Sequence, residues 1–379
     1  MSKKKTVNVS RETSKFYSLE NIKKTGATYN VIFGERSNGK TYSVLYEGLK
    51  EYCLHGGQLA IVRRWKEDIT GRRASDIFTA LNSNNEVEKL TNGKYHGITY
   101  FASKFYLCNY DENGKPVYSL DTDCFAYTFA LSETEHNKSI SYPNITTILF
   151  DEFITKHIYL NDEFVLFMNT ISTIVRQRTN VKIYMCGNTV NKFCPYFQEM
   201  GLTHILEMKQ GTIDVYTYGD STLKVAVEYC TNSQHRKENN FYFAFNNPKL
   251  NMITGGAWEL DIYPHLPVKY KPKNIQFIYF IDFNGVLCQC EVVSINGDMF
   301  TFIHQKTSPL QNPENDLIYT FDFHYEINYN RNIYKPLNNL QKRLLWFFET
   351  GRVFYQNNEI GDLIHNYLKI CKGGSVNER

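Results

Sequence analysis

The run Gly34-Glu-Arg-Ser-Asn-Gly39-Lys40-Thr41 matches the pattern G-x-x-x-x-G-K-[ST] in full. Each part suits phosphate chemistry. The loop from Gly34 through Glu35, Arg36, Ser37 and Asn38 to Gly39 lets backbone N–H groups curl around phosphate oxygens. A helix following it turns its positive N-terminal end toward them. Lys40 is placed to reach the β- and γ-phosphates, and the Thr41 hydroxyl to ligate Mg²⁺.

A second pattern supplies the missing half of such a site. Ile148-Leu149-Phe150-Asp151-Glu152 is a hydrophobic strand ending in two carboxylates. Asp151 suits the metal, directly or through water. Glu152 suits a general base that polarises an attacking water. The Asp-Glu pair favours ATP hydrolysis over GTP. The guanine motif N-K-x-D is absent, since Asn191-Lys192-Phe193-Cys194 fails at its last position. Met185-Cys186-Gly187-Asn188 ends the next apolar run. Asn188 there faces the same crevice, to sense a γ-phosphate or orient water, or simply to form a Gly-Asn turn.

The basic residues divide into three groups. Arg176 and Arg178 follow an apolar helical stretch. They read either as an arginine finger acting on a neighbouring subunit's nucleotide or as a cap answering the helix dipole. Arg63, Arg64 and Lys66 close a strand and could meet nucleotide, a DNA backbone or only solvent. The same holds for Lys269, Lys271 and Lys273 farther along.

The elements that must carry these residues follow from hydrophobic period. Tyr29–Phe33 is a short apolar run before the glycine loop. Val44, Leu45, Leu49 and Cys53 recur at helical spacing until His55-Gly56-Gly57, and 58–63 is again a strand. Strand, loop, helix, strand is the start of a parallel α/β sheet. Residues 96–133 read as an antiparallel β insertion around the turn at Asp111–Gly114. Ile145–Phe150 and 181–186 return as buried strands, with a helix over 160–175 between them. Beyond about residue 208 the alternation stops. From 275 two Asn-Gly turns, at 284–285 and 296–297, predict a three-stranded meander, then helices near 337–348 and 362–371.

The chain has 379 residues with a formal net charge of +3, so a charge-driven partner must be met by a local patch. Hydrophobic residues make up 42% and charged ones 21%, as in a globular protein. No apolar run approaches the roughly 20 residues of a membrane-spanning helix. The Lys-rich start leads into no apolar stretch, so no signal peptide is expected. Nine cysteines without a C-x-x-C pair indicate neither zinc nor a disulfide framework and suit a reducing cytoplasm. Cys288 and Cys290 read as packing thiols.

Together these pieces resemble the DNA-encapsidation (genome-packaging) ATPases of small, short-tailed, protein-primed phages. The stretch Lys138-Ser-Ile-Ser-Tyr142-Pro-Asn-Ile145-Thr-Thr-Ile-Leu-Phe150-Asp151-Glu152-Phe-Ile154 looks like that family's signature around the catalytic strand. Val62-Arg-Arg-Trp-Lys66 and Cys186-Gly-Asn188, followed by Asn191 and Pro195-Tyr-Phe197, are similar as well. The likeness covers roughly residues 25–205 by motif and the rest by domain order.

The resemblance implies a parallel-sheet ASCE P-loop ATPase domain, a small linker domain and an α+β RNase H-like domain, a degenerate nuclease. The boundaries expected are an N-terminal arm over 1–25, the ATPase over 26–207, the linker over 208–250 and the C-terminal domain over 251–379. The resemblance implies ATP and Mg²⁺ as cofactors and a homo-oligomeric ring, a pentamer. The ring works at the portal (connector) of a procapsid and drives double-stranded viral DNA inward. It puts Lys40 and Thr41 on the phosphates and metal, Asp151 on the metal and Glu152 as base. Arg176 or Arg178, and Lys138, would act in trans. A structural packaging RNA is a further partner it raises. The place of action would be the host bacterial cytoplasm, at the portal vertex and not in the mature virion.

Three other readings stay open on sequence. A terminase with a live endonuclease would need converging carboxylates, for which Asp282, Asp298, Asp322, Glu326 and Asp362 are available. A nucleotide-switched DNA-binding scaffold would not need Glu152. A helicase would need a second motor domain, and no second set of motifs is present.

Overall fold

The computed structural model of the protein describes residues 2–8, 17–133, 140–155, 159–160, 162–189, 191, 193–230, 261–266, 268–321 and 324–376. The chain divides into two compact units, Met1–Lys156 with Asp162–Glu259, and His157–Asn161 with Leu260–Arg379.

The first unit is built on an 11-stranded sheet. Its strands are β1 (Ser2–Asn8), β2 (Tyr29–Gly34), β3 (Gln58–Arg63), β4 (Gly97–Phe101), β5 (Lys104–Tyr110), β6 (Pro116–Val117), β7 (Cys124–Ala130), β8 (Ile145–Asp151), β9 (Lys182–Asn188), β10 (Thr212–Tyr218) and β11 (Lys224–Cys230). The order is β1-β10-β11-β2-β9-β8-β3-β7-β5-β4, with β6 paired to β5. From β11 to β7 every neighbouring pair is parallel. All of β2 is buried, as are all but one residue of β8 and the interior of β9. Burial on both faces explains why these strands read as continuous apolar runs.

Two helices flank the central strands. α1 (Lys40–His55) follows the glycine loop and buries Val44, Leu45, Gly48 and Leu49; its end is closed by Gly56 in the left-handed conformation. α2 (Glu163–Val175) buries Phe167, Thr170, Ile171 and Ile174. Phe150, Phe153, Phe167 and Tyr196 pack ring against ring here, with centroids 4.9–6.3 Å apart.

The β insertion is antiparallel from β4 through β5 to β7, and β7 joins it to the central sheet by pairing in parallel with β3. Two expectations need correction. Residues 212–230 are not part of a linker domain, because β10 and β11 return to the first sheet and β11 lies directly beside β2. The segment before residue 25 is not only an irregular arm: β1 pairs antiparallel with β10 over its whole length. The remainder of the expected linker, 231–250, lies outside the described residues.

The second unit carries a six-stranded sheet: β12 (Ile275–Phe283), β13 (Val286–Ile295), β14 (Asp298–Gln305), β15 (Ile318–Thr320), β16 (Tyr329–Asn330) and β17 (Val353–Tyr355). β12, β13 and β14 form the antiparallel meander, turning at Asn284-Gly285 and Asn296-Gly297, all four with positive φ. β15 adds in parallel to β12, β16 in parallel to β15, and β17 in parallel to β14. Helices α3 (Asn339–Glu349) and α4 (Asn358–Val376) complete the unit. Cys288 and Cys290 are buried free thiols. Among the described residues no helix is long and apolar enough to cross a membrane.

Candidate nucleotide site

Sheet register sets the site. Gly34 at the end of β2 stands opposite Asn188 at the end of β9, and Asp151 at the end of β8 stands opposite Cys186. The carboxyl ends of three adjacent parallel strands therefore line one crevice, where ligands bind in open α/β sheets.

The loop between β2 and α1 is shaped by close approach. A Cβ on Gly34 would lie 2.7 Å from Cys230 Sγ and 2.8 Å from Cys230 O on β11, so no larger residue fits. Gly39 caps α1 with φ 92. Asn38, 1% exposed, buttresses the loop. Its Oδ1 accepts from Lys40 N at 3.3 Å, its Nδ2 donates to Cys230 Sγ at 3.1 Å, and its carbonyl accepts from Tyr17 N at 2.9 Å. Tyr17 in turn donates its hydroxyl to Glu228 Oε2 at 2.7 Å, on β11. Burial, then the Glu228 charge, pushes the Tyr17 phenol well up, so it stays a donor. Tyr17, Glu228 and Cys230 were not legible in the sequence, because nothing in a strand pattern says which strand lies next to β2.

Lys40 is buried among acceptors. Its Nζ donates to Glu35 O, to Asn38 Oδ1 at 3.1 Å and to Asn188 Oδ1 at 3.2 Å. Asn188 at the end of β9 thus meets Lys40 across the crevice. Glu35 is buried, while Arg36 and Ser37 are exposed at the loop tip.

The acidic side of the crevice is equally connected. Thr41 Oγ1 donates to Asp151 Oδ1 at 2.8 Å. A hydroxyl and a carboxylate oxygen side by side are hard oxygen donors of the kind Mg²⁺ takes, so this pair fits that ion. Arg63 holds Asp151 Oδ2 through Nη2 and Glu152 Oε2 through Nη1, each at 2.7 Å. Glu152 has φ 58 and a side chain 64% exposed. Beneath it Cys186 is fully buried, and burial first, then the Asp151 charge, pushes its thiol well up, keeping it neutral.

Several sequence readings change at this point. Arg63 is not a DNA-facing residue; it is turned into the crevice. Arg64 is not one either: it is 6% exposed and paired bidentately with Glu163 at 2.7 and 2.8 Å. Lys66 is exposed and pairs with Glu133 at 2.6 Å. Arg178 is no free finger. Its guanidinium donates to the carbonyls of Val175, Pro143, Ile145, Tyr142 and Ile174 at 2.6–3.2 Å, which uses all five of its N–H groups. Burial lowers its pKa from the ordinary arginine value. Arg176 is exposed, has φ 41, and donates one bond at 2.9 Å to Ile140 O. Lys138 and Asp322 lie outside the described residues. Lys269, Lys271 and Lys273 are exposed in the second unit.

The profile of the Podovirus DNA encapsidation protein (Gp16) matches residues 11–372. The DNA packaging protein of Bacillus phage PZA is 22% identical over 277 residues, 72% of this chain and 74% of the relative. The solved structure of the Phi-28 gp11 DNA packaging motor aligns with TM-score 0.54 and 19% identity, over 95% of this chain and 99% of that one. The bacteriophage Phi-29 viral genome packaging motor assembly aligns with TM-score 0.55 and 21% identity, over 94% and 100%. At these identities the structural likeness speaks to the fold.

Proposed function

The chain belongs to the podovirus DNA encapsidation protein family, and on that footing we propose that it is an ATP-driven motor moving double-stranded viral DNA into a capsid. The observation that carries the ATPase reading is the meeting of Lys40, Thr41, Asp151 and Glu152 at the ends of adjacent parallel strands, with Thr41 2.8 Å from Asp151.

In this reading Lys40 leaves the Glu35 carbonyl for the β- and γ-phosphates, and the loop N–H groups take the remaining oxygens. Thr41 and Asp151 would hold Mg²⁺, which would neutralise phosphate charge there. Asn188, beside Lys40, orients the attacking water at the γ-phosphate. Glu152 accepts that water's proton as the new P–O bond forms and the bond to the ADP oxygen breaks. Arg63 holds both carboxylates until they are needed. Arg176, exposed at the end of α2, is the residue available to reach a neighbouring subunit; Lys138 is kept as a second.

The rest of the assembly is read from the family. We propose a homo-oligomeric ring, a pentamer, at the portal of a procapsid in the host cytoplasm, with a packaging RNA as a further partner. Lys269, Lys271, Lys273 and Lys66 are the lysines proposed to meet DNA phosphate. The second unit is proposed as an RNase H-like domain. A central first strand, an antiparallel meander on one side and two parallel strands on the other support this. Thr320, not a carboxylate, stands opposite Asp282 in the register, which supports a degenerate nuclease over a live one.

The test is ATP hydrolysis with and without double-stranded DNA, read alongside particle size in solution. DNA-stimulated phosphate release by a ring-sized particle is expected. No hydrolysis under either condition would overturn the proposal in favour of a switched scaffold.

A further inference from the structure

We propose that Arg64, Glu163 and Tyr196 form a buried clamp that positions Glu152 for turnover without touching ATP. The inference rests on Glu152 being the base, as proposed above.

Glu152 sits at φ 58. A residue with a Cβ is strained there and persists only where its surroundings fix it. The turn it occupies is fixed from two sides. On one side Arg64 donates through Nη1 to Glu152 O at 3.3 Å and through Nη2 to Phe153 O at 2.9 Å. The same guanidinium grips Glu163, the first residue of α2, with two bonds of 2.7 and 2.8 Å, and Tyr196 donates its hydroxyl to Glu163 Oε1 at 2.9 Å. Arg64, Glu163 and Tyr196 are 6%, 2% and 0% exposed. Burial, then the Glu163 charge, pushes the Tyr196 phenol well up, so it remains a donor.

On the other side Phe153 N donates to Cys186 O at 3.3 Å. Phe153 and Ile154 pack where Gly187 lacks a side chain; a Cβ there would lie 2.9 Å from Phe153 and 2.8 Å from Ile154. The turn is thus held by its main chain. Arg64 spends its donors on the carbonyls of residues 152 and 153, so the Glu152 carboxylate stays two-thirds exposed on a fixed stem. A rigid stem is what a base needs, since a misplacement of about 1 Å costs on the order of 10²-fold in rate. The planar fork of arginine can serve a carboxylate and two carbonyls at once; lysine cannot.

The experiment compares Arg64→Lys and the double variant Arg64→Met/Glu163→Met with the full-length protein, measuring kcat, KM for ATP and thermal unfolding. The double variant removes both buried charges together, which leaves folding intact far more often than removing one. A fall in kcat of about 10²-fold with KM unchanged, in protein that still unfolds cooperatively, is expected in both. Wild-type kcat in either folded variant overturns the clamp. So does a loss of kcat matched by an equal loss of ATP binding, which marks local unfolding. Glu152→Gln is run in parallel: if it turns over normally, the base reading fails whatever Arg64 does.

Discussion

Arg63 and Glu152 are joined directly, Nη1 to Oε2 at 2.7 Å, while the other end of the same guanidinium holds Asp151 at 2.7 Å. One arginine therefore spans the proposed metal ligand and the proposed base. Glu152 Oε2 is thereby engaged by Arg63, and under the proposed mechanism that contact opens before a water is met.

Arg63→Ala follows from this. Asp151 is 5% exposed, and losing its cationic partner should cost about 1–3 kcal/mol of stability. Mg²⁺ with ADP restores a positive charge at the same carboxylate. The rise in unfolding temperature on adding Mg·ADP should be larger in Arg63→Ala than in the wild type. Equal rises would remove Arg63 from the metal side of the site.

Glu152→Gln should bind ATP normally and lose roughly 10²–10⁴-fold in phosphate release, the usual worth of a general base. Lys40→Ala should lose nucleotide binding itself, because Lys40 is the buried cation at the loop. Filter binding and phosphate release separate the two.

Arg176 and Arg178 should part in a mixing experiment. Arg178→Ala abandons five carbonyls and should lower stability by at least about 2 kcal/mol, visible in thermal unfolding. Arg176→Ala should fold normally and be inactive alone. Mixed with Lys40→Ala subunits it should recover turnover; no recovery at any ratio counts against a finger in trans.

The second unit should show its own pH optimum. The hydrogen bond to Glu291 raises the His304 pKa above 6.5, against opposing burial. Burial pushes the Glu291 carboxyl up, but bonds from His304, Tyr270 and Gln289 outweigh it and hold it below 4.5. The histidine's contribution is complete below its ordinary value and fades as pH rises through its raised one. The glutamate's is complete above its ordinary value and fades as pH falls through its lowered one. This pair therefore stabilises most between 4.5 and 6.5. In His304→Asn the alkaline decline should flatten; an unchanged profile in chemical denaturation would falsify the link.

The glycine loop after β2, the acidic end of β8 and the central strands were legible because glycine spacing and two-sided burial leave marks within a few residues. The arginines were not. Arg63 and Arg64 are adjacent in sequence and of one type, yet strand geometry sends consecutive side chains apart. One meets Asp151 and Glu152, and the other meets Glu163; both destinations are some 90 residues or more away. Arg178 likewise finds three of its five carbonyls about 35 residues upstream. β10 and β11 were missed for a related reason. Their place beside β2 is a pairing of distant segments, and the local rhythm of strand and helix had already stopped.

The pairing of β1 with β10 has a consequence for how copies of this protein coexist. Among the described residues β1 is the last strand in its direction of the sheet, and Lys4 and Lys5 are exposed on it, pointing to alternate faces. Lys4 lies 3.8 Å from the buried Asp214, while Thr6 donates to the same carboxylate at 2.6 Å, so the strand is pinned as well as charged. In the proposed ring, a bare, uncharged strand edge would be a template for joining sheets between neighbouring copies. An edge strand carrying lysines is a poor template of that kind.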